Sequence, residues 1–205
     1  PVFAEGENRE NFLEAVAYYQ DLVESGAAPQ RVTSITDYDA FNAAAAAGTA
    51  AMFVGGNWQY GQMRNTLDPD SFETWEVSEL PGPTADQRAT GTGGWSIAAL
   101  SDDPEKAELC GEIGKEIYAG PGNAFQGLLP TSEATYDEYD AYDGPEFDLF
   151  AEALQNGVAR PGAAIYPEIS NQIQILLGNV LSGTSTPEEA LDAADAAVQA
   201  AYDRQ

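Results

Sequence analysis

The sequence predicts an α/β fold in which helices dominate, and three observations carry that reading. Apolar residues recur at helical spacing in several long stretches. Only a few short strand-like runs stand between them, and helices and strands alternate along the chain instead of segregating. Three or four strands are few for a sheet flanked by this many helices, so partner strands are expected to come from outside these residues.

The elements follow in order. Phe12, Val16, Tyr19 and Val23 mark a first helix, with Gly26 placed to end it. A second helix over 37–47 closes at Gly48. Thr49 to Val54 is small and apolar and is expected as a buried strand, after which Gly55 and Gly56 turn the chain. Asn57 is expected to cap a short helix carrying Trp58 and Met63. Another strand is expected around Trp75 and Val77, ended by Pro81, Gly82 and Pro83. "GTGGWSIAAL" reads as the next strand. Asp103 and Pro104 then open a helix that runs to Ala119 and stops at Gly120-Pro121-Gly122. Helices are expected over 145–156, 166–181 and 187–202, the last with a capping box of Thr186 and Glu189.

Composition excludes several functions. The 205 residues hold 34 acidic side chains against 8 basic ones, a formal net charge of −26. No basic patch can form to neutralise phosphates, so nucleic acid and anionic membranes are not expected partners. The acids are spread along the chain, which favours a protein working in concentrated salt over a metal buffer. There the Debye length falls to about 3 Å and self-repulsion is screened. The chain has no histidine, and Cys110 is its single thiol. That excludes the usual zinc sites and the Ser-His and Cys-His catalytic pairs. Cys110 shares a helical face with Ile113 and Ile117 and is expected in the core. No metal, cofactor or disulfide is expected, and no signal peptide, lipidation motif or membrane span is read in these residues. The start at Pro1 without a methionine is expected of a processed form or a fragment.

Candidate chemistry narrows to two corners. Asp137, Glu138, Asp140 and Asp143 lack the alternate spacing of a calcium loop and read as a solvated acidic loop. No pair of carboxylates stands out for glycoside hydrolysis, so no enzyme is expected. The glycines of "GTGGWS" precede a strand, where a phosphate-binding loop would follow one. What remains is "GGNW" at 55–58 and "GGW" at 93–95, each with glycines that let the backbone approach something closely beside a tryptophan. Each tryptophan is either a core residue or a flat platform for a pyranose ring. Trp75, inside an alternating run, reads as core.

These stretches resemble, in order, a known family. "AFNAAAAAGTAAMFVGGNW", "ELPGP", "GTGGWSIAALSDDPEKAELCGEIGKEI", "GLLPTS", "VARP" and "EISNQIQILLGNVLSGTSTPEEALDAA" are together similar to the C-terminal half of the family 1 extracellular solute-binding proteins, the sugar receptors of ABC importers. The resemblance implies the helix-rich portion of a two-lobed periplasmic-binding-protein-like (type II) fold. Residues 1–81 and 133–205 would form most of the C-terminal lobe, and 82–132 would cross over to complete the N-terminal lobe. It implies a monomer, outside the cell or on its surface and anchored through a terminus not in this chain. Its partners would be a sugar, a membrane permease and the missing N-terminal half. The matching positions imply Trp58 as a stacking platform, Gly93, Gly94 and Trp95 as a second contact, and Arg160 as a donor to sugar hydroxyls. Tyr60 and Tyr166 would be rim contacts. A same-fold receptor for another solute, an acidic carbohydrate-active enzyme domain and a protein-interaction domain are the competing readings.

Overall fold

The structure, a computed structural model, describes residues 4–35, 37–82, 84 and 87–204, with the backbone alone at Pro121. Among the described residues the α-helices are α1 (Gly6–Glu24), α2 (Tyr38–Ala46), α3 (Asn57–Thr66), α4 (Pro69–Phe72), α5 (Pro104–Tyr118), α6 (Pro121–Gln126), α7 (Pro145–Gln155), α8 (Tyr166–Leu181) and α9 (Pro187–Tyr202). Two strands, β1 (Thr90–Thr92) and β2 (Gly157–Ala159), form one parallel pair. The fold is therefore helix-rich with a small parallel sheet. No helix among the described residues is long and apolar enough to cross a membrane.

The chain divides into two compact units, one made of residues up to Phe41 with those from Pro161 onward, the other of Asn42–Arg160. In the first, α1, α8 and α9 bury one apolar cluster of Val16, Leu176, Val180, Ala190, Leu191 and Ala194, flanked by Phe12, Leu13 and Leu177. Arg9 pairs with Asp192 at 2.8 Å, and the Gln30 amide donates to the Leu181 carbonyl at 2.8 Å. The ends of α1 and α9 match their sequence signals. Gly26 takes a left-handed φ of 77° beyond α1. Thr186 and Glu189 form the capping box. Tyr19 departs from its expected face: it is exposed and meets Tyr18 edge-on, leaving Phe12, Leu13, Val16 and Val23 as the inward stripe.

The second unit packs around Ala124, Tyr142 and Phe147. Here α3 meets the end of α6 through two glycines. A Cβ on Gly61 would lie 2.5 Å from the Gln126 carbonyl oxygen, and one on Gly127 would lie 2.9 Å from the Gly61 Cα. Tyr136, Tyr139 and Tyr142, spaced three apart, turn into this core, while Asp137, Glu138, Asp140 and Asp143 stay exposed. The acidic loop is thus solvated on one side and an aromatic wall on the other.

Several expected elements differ. Thr49 to Val54 joins no strand, and Met52 is 88% exposed. The run from Thr74 to Leu80 keeps its alternation, with Trp75, Val77 and Glu79 half-buried, yet it too joins no ladder. Pro83, expected to help end it, lies outside the described residues. "GTGGWSIAAL" contributes to β1 only up to Thr92, leaving Trp95, Ile97 and Leu100 exposed. Among the described residues the first two runs and the part of the third beyond Thr92 have no neighbouring strand, and extended backbone without a ladder is not a stable sheet. Cys110 is exposed, as are Ile113 and Ile117 on the same helix. Their face is apolar, but no described element covers it. Gly56 is the N-cap of α3; Asn57 sits inside the first turn and donates to the Gly127 carbonyl at 3.0 Å. At Gly120-Pro121-Gly122 the chain starts α6 at once, because a proline at the first helical position seeds a new helix.

Candidate functional site

The parallel register builds the first corner. Thr92 stands opposite Ala159, so the residues that follow, Gly93 and Arg160, leave the sheet side by side. Gly157 permits this approach, since a Cβ there would lie 2.0 Å from the Thr92 methyl and 2.8 Å from the Leu154 carbonyl oxygen. Gly93 permits the next one: a Cβ would come within 2.6 Å of Arg160 Nη2. The guanidinium therefore lies against bare backbone. Among the described residues it makes no ion pair or hydrogen bond, whereas Arg9, Arg88 and Lys106 each face a carboxylate. Beyond it Gly94 is open, and Trp95 is 92% exposed.

The second corner is differently made. Gly55 and Gly56 are each covered by a side chain of the helix they introduce. A Cβ on Gly56 would fall 2.1 Å from the Trp58 ring, and one on Gly55 would fall 2.2 Å from the Gln59 amide oxygen. The glycines thus seat the Trp58 ring on backbone and leave it 39% exposed. With Gln62, Asn65, Phe125, Gln126 and Leu128 the ring lines a pocket of about 150 Å³. Phe125, a second exposed aromatic wall, carried no signal in the sequence beyond the helix start at Pro121.

Tyr60, expected at the rim, is half-buried in the aromatic core. Its ring lies 5.1 Å from Phe72 and 5.9 Å from Phe147, and its phenol donates to Glu146 at 2.5 Å. Burial first, and then the Glu146 carboxylate, push its pKa up to about 12. Tyr166 belongs to the other unit, half-buried at the start of α8. Among the expected contacts within residues 42–160, contact is shown between Gly93 and Arg160.

No known protein-family model matches the chain.

A wider cavity of about 470 Å³ lies elsewhere in the second unit, between the end of α2 and α4. Asp70, Ser71, Thr74 and Trp75 line it above a floor of small residues, and none of the expected contacts does. Its hydroxyls are already committed: Ser71 donates to Asp68 at 2.7 Å and Thr74 to the Ser71 carbonyl at 2.8 Å. Trp75 is half-buried against Phe53, with ring centroids 5.3 Å apart. Gln59, nearby in sequence, is buried with an amide nitrogen that has no hydrogen-bond partner. An exposed arginine beside a free tryptophan is better equipped than this cavity to meet a polar ligand.

Proposed function

We propose that the chain is the C-terminal half of an extracellular carbohydrate-binding receptor that delivers its ligand to an ABC importer, and that it has no catalytic role. One observation supports this most: two residues distant in sequence, Gly93 and Arg160, both named by the resemblance as ligand contacts, touch each other beside the exposed Trp95. The open strands and the uncovered face of α5 support a partner half that completes the fold. In this reading residues 1–81 and 133–205 serve the C-terminal lobe and 82–132 the other. A sugar held between lobes binds the closed state better than the open one, and that difference drives closure. Each ring that stacks on the sugar contributes about 0.5–1.5 kcal/mol beyond area burial, taking aromatic pairs as a guide. The acidity, −26 over 205 residues, suits an extracellular life in concentrated salt.

Calorimetry with a panel of sugars in molar salt, on the complete protein, tests the proposal. Heat of binding without product is the expected result; release of reducing ends would replace the receptor with an acidic carbohydrate-active enzyme. Trp95→Ala and Trp58→Ala should each weaken sugar binding by about tenfold, close to 1.4 kcal/mol. Unchanged affinity in a folded variant removes that ring from the site. A protein-interaction domain is the second reading, favoured by the exposed Trp95, Ile97 and Leu100. It takes over if no sugar or other small solute binds.

A further inference from the structure

We infer that the Gly93–Arg160 corner receives the carboxylate of an acidic sugar, a uronic acid or a glycan containing one. This inference rests on the receptor reading above and narrows its ligand. The one charged side chain at the corner is a donor, and the free backbone beside it offers N–H groups as well as carbonyls. Arg160 offers a planar fork, and among the described residues no hydrogen bond within the chain takes the N–H of Gly94 or of Trp95. A sugar hydroxyl brings a proton as well as lone pairs and needs an acceptor facing it; a carboxylate brings acceptors alone. The guanidinium fork, which has no acceptor of its own, therefore matches a carboxylate better than it matches a neutral ring.

Charge points the same way. The sequence holds 34 acidic residues and 8 basic ones, yet among the described residues no carboxylate pairs with Arg160. An unpaired guanidinium in so acidic a chain leaves its fork open for a carboxylate from outside. Gly93 fixes where the fork lies, because any side chain there would push Nη2 away from the backbone. A bidentate guanidinium–carboxylate pair is both directional and stronger than neutral hydrogen bonds. The overall negative charge opposes an anion at long range. In molar salt that repulsion is screened within about 3 Å, whereas bonds at contact persist.

The test compares glucuronate with glucose, and galacturonate with galactose, by calorimetry on the complete protein in molar potassium chloride. The expected result is at least a tenfold preference for each uronate over its neutral sugar. Arg160→Met should abolish that preference, and Arg160→Lys should keep only part of it. Gly93→Ala, with an unchanged far-ultraviolet circular dichroism spectrum, should reduce it by displacing the guanidinium. Equal binding, or tighter binding of the neutral sugars, overturns the inference and leaves the receptor reading standing. A uronate preference that survives Arg160→Met also overturns it. If none of the four binds, the inference falls, and the wider sugar panel decides the receptor reading separately.

Discussion

The unit formed by α1, α8 and α9 and the unit formed by residues 42–160 handle their apolar residues in opposite ways. In the first, the stripes that the sequence marks on three helices face one another, and Leu191 at their centre is 0% exposed. In the second, a compact aromatic core coexists with Met52, Trp95, Leu100 and Phe125, all largely exposed. Both units have good local signals, and many helices in each start and stop where the sequence says. The difference lies in tertiary partners: the helix stripes of the first unit meet one another, and the second holds extended runs and a helix face that no described residue covers.

The largest expected effect follows from that contrast. Leu191→Ala leaves a cavity among Leu176, Val180 and Val16 and should cost about 2–5 kcal/mol in unfolding free energy. Leu100→Ala removes a side chain that is 98% exposed and should stay within about 0.5 kcal/mol. Denaturant unfolding of the two variants measures both. A large loss from Leu100→Ala would mean that the second unit packs more of itself than its exposed residues suggest.

A smaller loss is expected where the second unit is tight. Gly61→Ala forces a methyl group against the Gln126 carbonyl, a rigid backbone neighbour. Overpacking of this kind costs about 1–3 kcal/mol, read as a lowered midpoint in denaturant. No loss would show that α3 and the end of α6 separate easily.

How much of this was legible in the sequence varies by the kind of signal. α8 and α9 fall at their expected bounds, because caps, prolines and stripes are local and agree with one another. The expected strand over 49–54 fails for the opposite reason: an apolar run says that burial is wanted, not that a ladder partner exists within reach. Cys110 repeats the lesson, since its face was read correctly as apolar and wrongly as covered. At the candidate site, the pairing of Gly93 with Arg160 depends on β2, a three-residue strand too short to announce itself. Tyr60 and Trp58 are two residues apart on one helix and face different surroundings, a distinction that needs the packing of Phe147 and Glu146 to be known.

Raising the pH should separate the units further. Burial pushes the pKa of Tyr142 up to about 12, with Tyr136 and Tyr139 adding to it, and Tyr60 is pushed to about 12 as described above. Both phenols are held neutral by the fold beyond the ordinary value of 10.0. Their contribution to stability is whole below pH 10 and is lost as the pH rises toward 12, because the unfolded chain ionises first. Tyrosinate absorbance and circular dichroism followed together should show the aromatic core of the second unit opening within that window. Tyr60→Phe removes one titrating group and should shift its opening to higher pH. An unmoved transition would show that the aromatic packing, and not the phenol, governs it.

The smallest effect sharpens the comparison most finely, because each unit contains a capped helix starting with proline. Thr186 accepts from the Glu189 N–H at 3.2 Å, and Asp103 accepts from Glu105 N–H at 3.0 Å. Losing either cap costs its helix about 1 kcal/mol. The helix α9 is fixed in a core, so Thr186→Ala should lower the cooperative unfolding free energy of its unit by that amount. The helix α5 leaves Leu109, Ile113 and Ile117 exposed, so Asp103→Ala should fray its first turn locally. Amide hydrogen exchange distinguishes the two outcomes. Protection should fall throughout α1, α8 and α9 in the first variant, and only near Glu105 and Lys106 in the second. Global loss of protection from Asp103→Ala would mean that α5 is held by more than its cap, and that the second unit is less open than its exposed side chains suggest.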